Sequence, residues 1–308
     1  MSKKYVVSQS VAAAIAGNAE ILRNSVEYNG RMVINQKVTD KVIKCLTMSV
    51  ENIARAGSTM MTENDGIIRN VYEIFISNGY GGKMSGIVGI SGFAGNNKKC
   101  IERAQKGIGV CPYYFSFRNA YFTCLPAWTK NDILLSTIKL SVGDIIMDPE
   151  KINECRFSTH GDLNNGLHGY NYMIIAYTNP EIQYTLWTKN HEYYQQARKM
   201  FFADFGIDRP KNLRVIYSGN RLDVMPKKSG LVALKKSGYD AYFVVYSKRA
   251  IQQKAVTELY GHFCKCGTNS CKQECHFCYD YFTSENWIAY SDTAVLIAEI
   301  LDGERHKE

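Results

Sequence analysis

A chain of 308 residues that is 45% hydrophobic and 21% charged has the composition of a globular protein with a sizeable core, and it is long enough for one barrel-sized domain or two smaller ones. No run of about 18 apolar residues occurs, which excludes a membrane-spanning helix. The formal net charge of +8 and pI near 8.8 favour an anionic partner such as nucleic acid or a nucleotide.

The chain opens on an apolar stretch at 11–16 that Asn18 and Glu20 soon interrupt, so it reads as a helix rather than a signal peptide. A cytoplasmic location follows. There the ten cysteines are thiols or metal ligands rather than disulfides. Residues 36–55 place Val38, Val42, Cys45, Leu46, Val50 and Ile53 near a 3.6-residue period, and a further helix is expected over 62–76 with Thr62 as its cap. Gly79, Gly81 and Gly82 then break the pattern.

Beyond that break, strands are expected at 87–91, 156–159, 184–188, 213–217, 241–246 and 287–290. Amphipathic stretches at 170–177, 191–205 and 230–236 lie between several of them. Strand, helix and strand at this spacing imply βαβ units and a parallel sheet covered on both faces. The expected fold is therefore α/β: a full or partial parallel β/α barrel, with a doubly wound open sheet as the alternative. Residues 1–82 are expected to form a helical extension, 83–260 the barrel-like domain, and 261–308 a cysteine-rich metal-binding segment with a C-terminal strand or helix packed on the barrel.

In parallel α/β folds the site lies at the carboxyl ends of the strands. Those ends carry Arg156, His160 and Asp162, then Lys189 and Asn190, then Ser218, Asn220 and Arg221, then Tyr246. His160 and Asp162 fit acid–base chemistry, or else a turn and the cap of the next helix. Lys189, the third candidate catalytic residue, and Arg221 suit a phosphate or carboxylate, or a solvated surface. Arg156, Asn190, Ser218, Asn220 and Tyr246 complete the candidate substrate-binding set.

Two cysteine regions stand out. Cys264, Cys266, Cys271, Cys275 and Cys278 fall in the run HFCKCGTNSCKQECHFCYD, and packing does not require thiols this dense. Clustered thiolates are soft ligands for zinc or an iron–sulfur cluster. Cys100, Cys111 and Cys124 are too widely spaced for a self-contained site. Cys100 and Cys111 would add ligands only if the fold brought them to the C-terminal run. The stretch around them interleaves Lys98, Lys99, Arg103, Lys106 and Arg118 with Tyr113, Tyr114, Phe115, Phe117, Tyr121 and Phe122. That mixture suits single-stranded nucleic acid, or a core.

The C-x3-C-x2-C run at Cys271, Cys275 and Cys278, with Phe277 before the last cysteine, resembles the signature of radical S-adenosylmethionine enzymes. That resemblance implies a [4Fe–4S] cluster with S-adenosylmethionine as cofactor on an α/β barrel. The motif of that superfamily follows the first strand, whereas here it stands near the C-terminus. A structural zinc site is the alternative.

A longer resemblance runs from Lys83-Met84 through Gly109-Val110-Cys111, Arg156 with Gly161-Asp162, Trp187-Thr188-Lys189 and Tyr217-Ser218-Gly219 to Cys266-Gly267 and Trp287. In this succession the chain resembles the phage and plasmid "gene product eighty-eight" family, which implies a mobile-element context. That family has a second cysteine shortly after the equivalent of Cys111; here Cys111-Pro-Tyr-Tyr114 lacks it.

Overall fold

A computed structural model describes residues 61–78, 87–92, 97, 99–100, 125–219, 221–259, 262–263 and 293–300. The expected helix at 36–55 and strand at 287–290 lie outside the described residues.

The described chain begins differently from expectation. Residues 62–76 are not one helix. Thr62 does cap, through a reciprocal capping box with Asp65, but the turn it starts covers only Glu63–Asp65. Gly66 then takes a left-handed conformation at φ 107°, which ends the turn. β1 (Ile67–Asn70) follows, and it pairs antiparallel with β3 (Ile145–Met147). The apolar spacing of this segment fitted a helix, but pairing with a strand far along the chain decided the outcome.

The main sheet is parallel throughout. Its strands are β2 (Val88–Ile90), β4 (Glu154–Phe157), β5 (Gln183–Thr188), β6 (Leu213–Ser218), β7 (Ala241–Tyr246), β8 (His262–Phe263) and β9 (Val295–Ile300). Their spatial order is β2-β4-β5-β6-β7-β9-β8, with every adjacent pair parallel. The helices are α1 (Leu125–Thr137), α2 (Gly166–Thr178), α3 (His191–Phe205), α4 (Lys228–Lys236) and α5 (Arg249–Leu259). The parallel α/β architecture expected from the sequence is therefore present. Strand β9 lies in the C-terminal segment where a strand or helix was expected, though outside the expected strand spans, and it inserts between β7 and β8 as an interior strand.

From β2 to β7 each strand is added on the same side of its predecessor. Right-handed crossovers in one direction put successive helices on one face, and the packing agrees. Tyr170, Tyr194, Ala197 and Phe201 of α2 and α3 share one core cluster with Phe157, Tyr184, Leu186, Leu213 and Val215 of the strands. Ala255 of α5 packs with Val244, Tyr246, Leu296 and Ala298. Helices α2 and α3 approach closely because Gly169 faces Ala197: a Cβ at Gly169 would lie 2.8 Å from the Ala197 Cβ.

Alternate residues of the strands point the other way. Ile216, Ala241, Val295 and Ile297, with Trp187 and Phe243 against them, form a separate cluster on the second face. Arg156, Thr185 and Arg214 share that face, in register across β4, β5 and β6. A closed barrel needs β2 to meet β8. Among the described residues these two remain opposite edges of the sheet.

Candidate functional site

Because every strand of the sheet runs the same way, the loops after β2, β4, β5, β6 and β7 all leave one edge. This is the edge the sequence marked as polar.

After β4 the chain turns sharply at Ser158, whose φ is +53°, an uncommon conformation for a residue with a side chain. The turn is held by Ser158 N–H donating to the Ile90 carbonyl at 3.0 Å, and Gly92 N–H donates to the His160 carbonyl at 3.0 Å. Glycine is required at 92, since a Cβ there would overlap the Asp132 carboxylate. The His160 ring then stacks on Trp128 of α1, with centroids 4.3 Å apart. Burial and the nearby Arg156 guanidinium lower its pKa to about 4. His160 is thus a neutral imidazole and a weak base at neutral pH. An anion that offset the Arg156 charge would raise that pKa towards the useful range.

Asp162 has a bracing role. Its carboxylate accepts from Thr188 Oγ1 at 2.6 Å, from the Lys189 backbone N–H at 3.0 Å and from the Leu163 N–H at 2.8 Å. The cap of α2 is instead Asn165, which accepts from His168 N–H at 2.9 Å. Asn190 is buried and donates from Nδ2 to the Leu163 carbonyl at 2.7 Å, and Asn97 donates to the carbonyls of Asp162 and Leu163. These bonds fasten the loops after β4 and β5 together.

Lys189 reaches across to the next loop. Its Nζ donates to Ser218 Oγ at 2.7 Å and to the Gly219 carbonyl at 3.3 Å. A lysine ammonium and a serine hydroxyl are thereby held side by side at the carboxyl ends of β5 and β6, an arrangement that can grip an anionic group. Arg156 lies over the Trp187 ring, 4.5 Å from its centroid.

The structure therefore brings together two groups, Arg156 with His160 and Asp162 with Lys189, Asn190 and Ser218. Tyr246 serves structure, since its hydroxyl donates to the Val224 carbonyl at 2.9 Å and burial raises its pKa. Arg221 is exposed. Asn220, Cys111 and the run from Cys264 to Cys278 lie outside the described residues. Cys100 is buried, and its N–H donates to Asn97 Oδ1 at 3.1 Å, which puts it beside the β4 loop. Cys155 is fully buried, and burial pushes its thiol pKa up, so it is an inert core residue. Among the described residues no group of three or more His, Cys, Asp and Glu side chains is arranged to hold a metal.

Sequence reasoning passed over Trp128, Thr185, Trp187 and Arg214. One signal was present: an arginine in the apolar run Leu213-Arg214-Val215-Ile216 needs a reason, and Arg214 is 1% exposed. No family model, curated protein or solved structure matches this chain.

Proposed function

We propose that the chain is a metal-centred α/β enzyme of mobile-element type. Its sheet curls as a partial parallel barrel, and its carboxyl edge takes an anionic substrate, a nucleotide or a nucleic-acid-linked group. The position of β8 carries this reading. That strand runs parallel to β9 and ends at Phe263. The next residue in the sequence is Cys264, which begins the cysteine run. β8 therefore ends at the same edge of the sheet that presents His160, Lys189 and Ser218, and in the sequence the cysteine run falls between β8 and β9.

In this reading Cys271, Cys275 and Cys278 hold one metal centre. As an open-site [4Fe–4S] cluster it supplies one-electron chemistry to S-adenosylmethionine, and Cys264 and Cys266 are dispensable. As zinc it takes one of those two as fourth ligand and supplies structure alone. The one-directional strand order from β2 to β7 and the charged second face both support a curled sheet with Arg156 and Arg214 on its inner side. Cys100 bears on closure. Six strand intervals separate the β2 and β8 edges, about 29 Å on a flat sheet. Cys100 joins the metal centre only if the sheet closes.

Anaerobic purification tests the proposal. Brown protein with visible charge-transfer absorption supports the cluster enzyme. Colourless protein with one zinc supports the alternative, a nucleic-acid-binding protein with a structural zinc. A Cys275→Ser variant that keeps full metal content and an unchanged melting point overturns both, because a metal of this kind contributes folding free energy directly.

A further inference from the structure

The second face of the sheet carries chemistry that the carboxyl-edge residues do not use. On β5 that face presents Gln183, Thr185 and Trp187, since Tyr184 and Leu186 point into the helix-side core. In each of the three, one buried polar atom has no hydrogen-bond partner among the described residues: Gln183 Oε1, Thr185 Oγ1 and Trp187 Nε1. Thr185 is 0% exposed. Leaving one buried polar group unmatched costs about 1–3 kcal/mol, so three in one column of one strand require an explanation.

Their neighbours indicate what would match them. Thr185 lies between Arg156 on β4 and Arg214 on β6, both in register with it. The backbones of β4 and β6 stand about 10 Å apart, a gap that two guanidinium side chains can close from either side. Guanidinium and indole groups only donate hydrogen bonds and the Thr185 hydroxyl can donate, so the ligand that matches them must accept; Gln183 Oε1 is itself an acceptor, is not met by such a ligand and is no part of the proposed site. Arginine forks suit the paired oxygens of a carboxylate or phosphate. The Arg156 guanidinium already covers one face of Trp187, so that ring offers its N–H edge rather than a stacking surface for a base. Two residues further along β4 and β5 the chain reaches the loops that hold His160 and Lys189.

We propose that the face of β5 opposite α2 and α3 carries an anion-binding recess, in which Thr185, Trp187, Arg156 and Arg214 hold a phosphate or carboxylate group of the substrate. The proposal deepens the anionic-substrate reading above and names the residues that read the charge. It does not depend on the metal.

Trp187 supplies the probe. The full chain is titrated with inorganic phosphate and, separately, with succinate to about 10 mM. Tryptophan emission is followed in the parent, in Trp187→Phe and in Thr185→Val. The parent should show a saturable change with at least one anion, and Trp187→Phe should lose it. Thr185→Val should bind at least about tenfold more weakly, since it removes one hydrogen bond to a charged group. Without ligand, Thr185→Val should melt higher than the parent, because an unmatched buried hydroxyl has been removed. Saturation by phosphate alone assigns a phosphorylated ligand, and by succinate alone a carboxylate. No saturable change with either anion overturns the recess. So does a Thr185→Val protein that melts lower yet binds unchanged, which would mean that the hydroxyl serves the fold. The same titration on metal-free Cys275→Ser separates the two proposals: binding should persist there even if the metal reading fails.

Discussion

The stability of this protein should fall steeply in mild acid, and His168 is the main reason. His168 is 0% exposed, inside α2, with its ring tilted against Tyr172 at 4.7 Å. Its Nδ1 accepts from the Asn164 N–H at 3.4 Å, so the proton belongs on Nε2. Burial lowers its pKa from 6.5 to about 3. The folded state keeps the ring neutral while the unfolded chain protonates it below 6.5, so the unfolded state binds more protons and stability falls with pH. The contribution is complete above pH 6.5 and is lost progressively as pH falls towards 3. At pH 4.5 two units of the window have been crossed, which costs about 3 kcal/mol. Against a typical stability of 5–15 kcal/mol that is a large fraction. His160 titrates in the same direction, but its shift, to about 4, is smaller than that of His168 and the residue is only half-buried, so it contributes less. Urea unfolding of the parent and of His168→Phe, at pH 7 and at pH 4.5, measures the effect. The variant keeps an aromatic ring beside Tyr172 and removes the titration. Its loss of stability between the two pH values should be about 3 kcal/mol smaller than the parent's. Equal losses in the two proteins would refute the reasoning.

At the amino end of the sheet, Arg209 grips Asp240 with two hydrogen bonds of 2.6 Å, and Asp240 also accepts from the Val215 N–H at 2.9 Å. Burial pushes the Asp240 pKa up, but Arg209 and Lys235 outweigh it and hold the carboxyl below its ordinary value. Asp240→Asn should cost about 3–5 kcal/mol by urea unfolding at pH 7, because it leaves the Arg209 charge without its partner. In the parent this contribution is present above pH 3.8 and is lost only as pH falls further, so it meets the histidine window only at its acid end and leaves the comparison between pH 7 and pH 4.5 untouched. A midpoint within error of the parent's would show the pair to be dispensable. For single-stranded nucleic acid, replacing Lys98, Lys99 and Arg103 together should reduce the log-affinity against log-salt slope by about 2, the share of three phosphate contacts. Lys99 already bridges Glu192 at 3.2 Å, so a smaller change would assign it to that pair instead.

The sequence by itself determined the class of this fold and most of its elements. The apolar strands and the amphipathic segment at 191–205 carry their periods locally, and α3 occupies that span, with Gly206 in the left-handed conformation that stops it. The carboxyl-edge residues were legible for a similar reason. A parallel sheet turns every strand end the same way, so a polar tail after each strand marks one edge. Tertiary structure decided the rest. The segment at 62–76 became a turn and a strand because β3 lay ready to pair with it. Asp162 became a brace because Thr188 and the Lys189 N–H arrived within reach of it from another strand. Arg156, Thr185 and Arg214 form a row only through the β4–β5–β6 register, and no spacing within one strand encodes alignment with the next. Periodicity is written along the chain, while register and strand order are settled by contacts between segments remote in sequence.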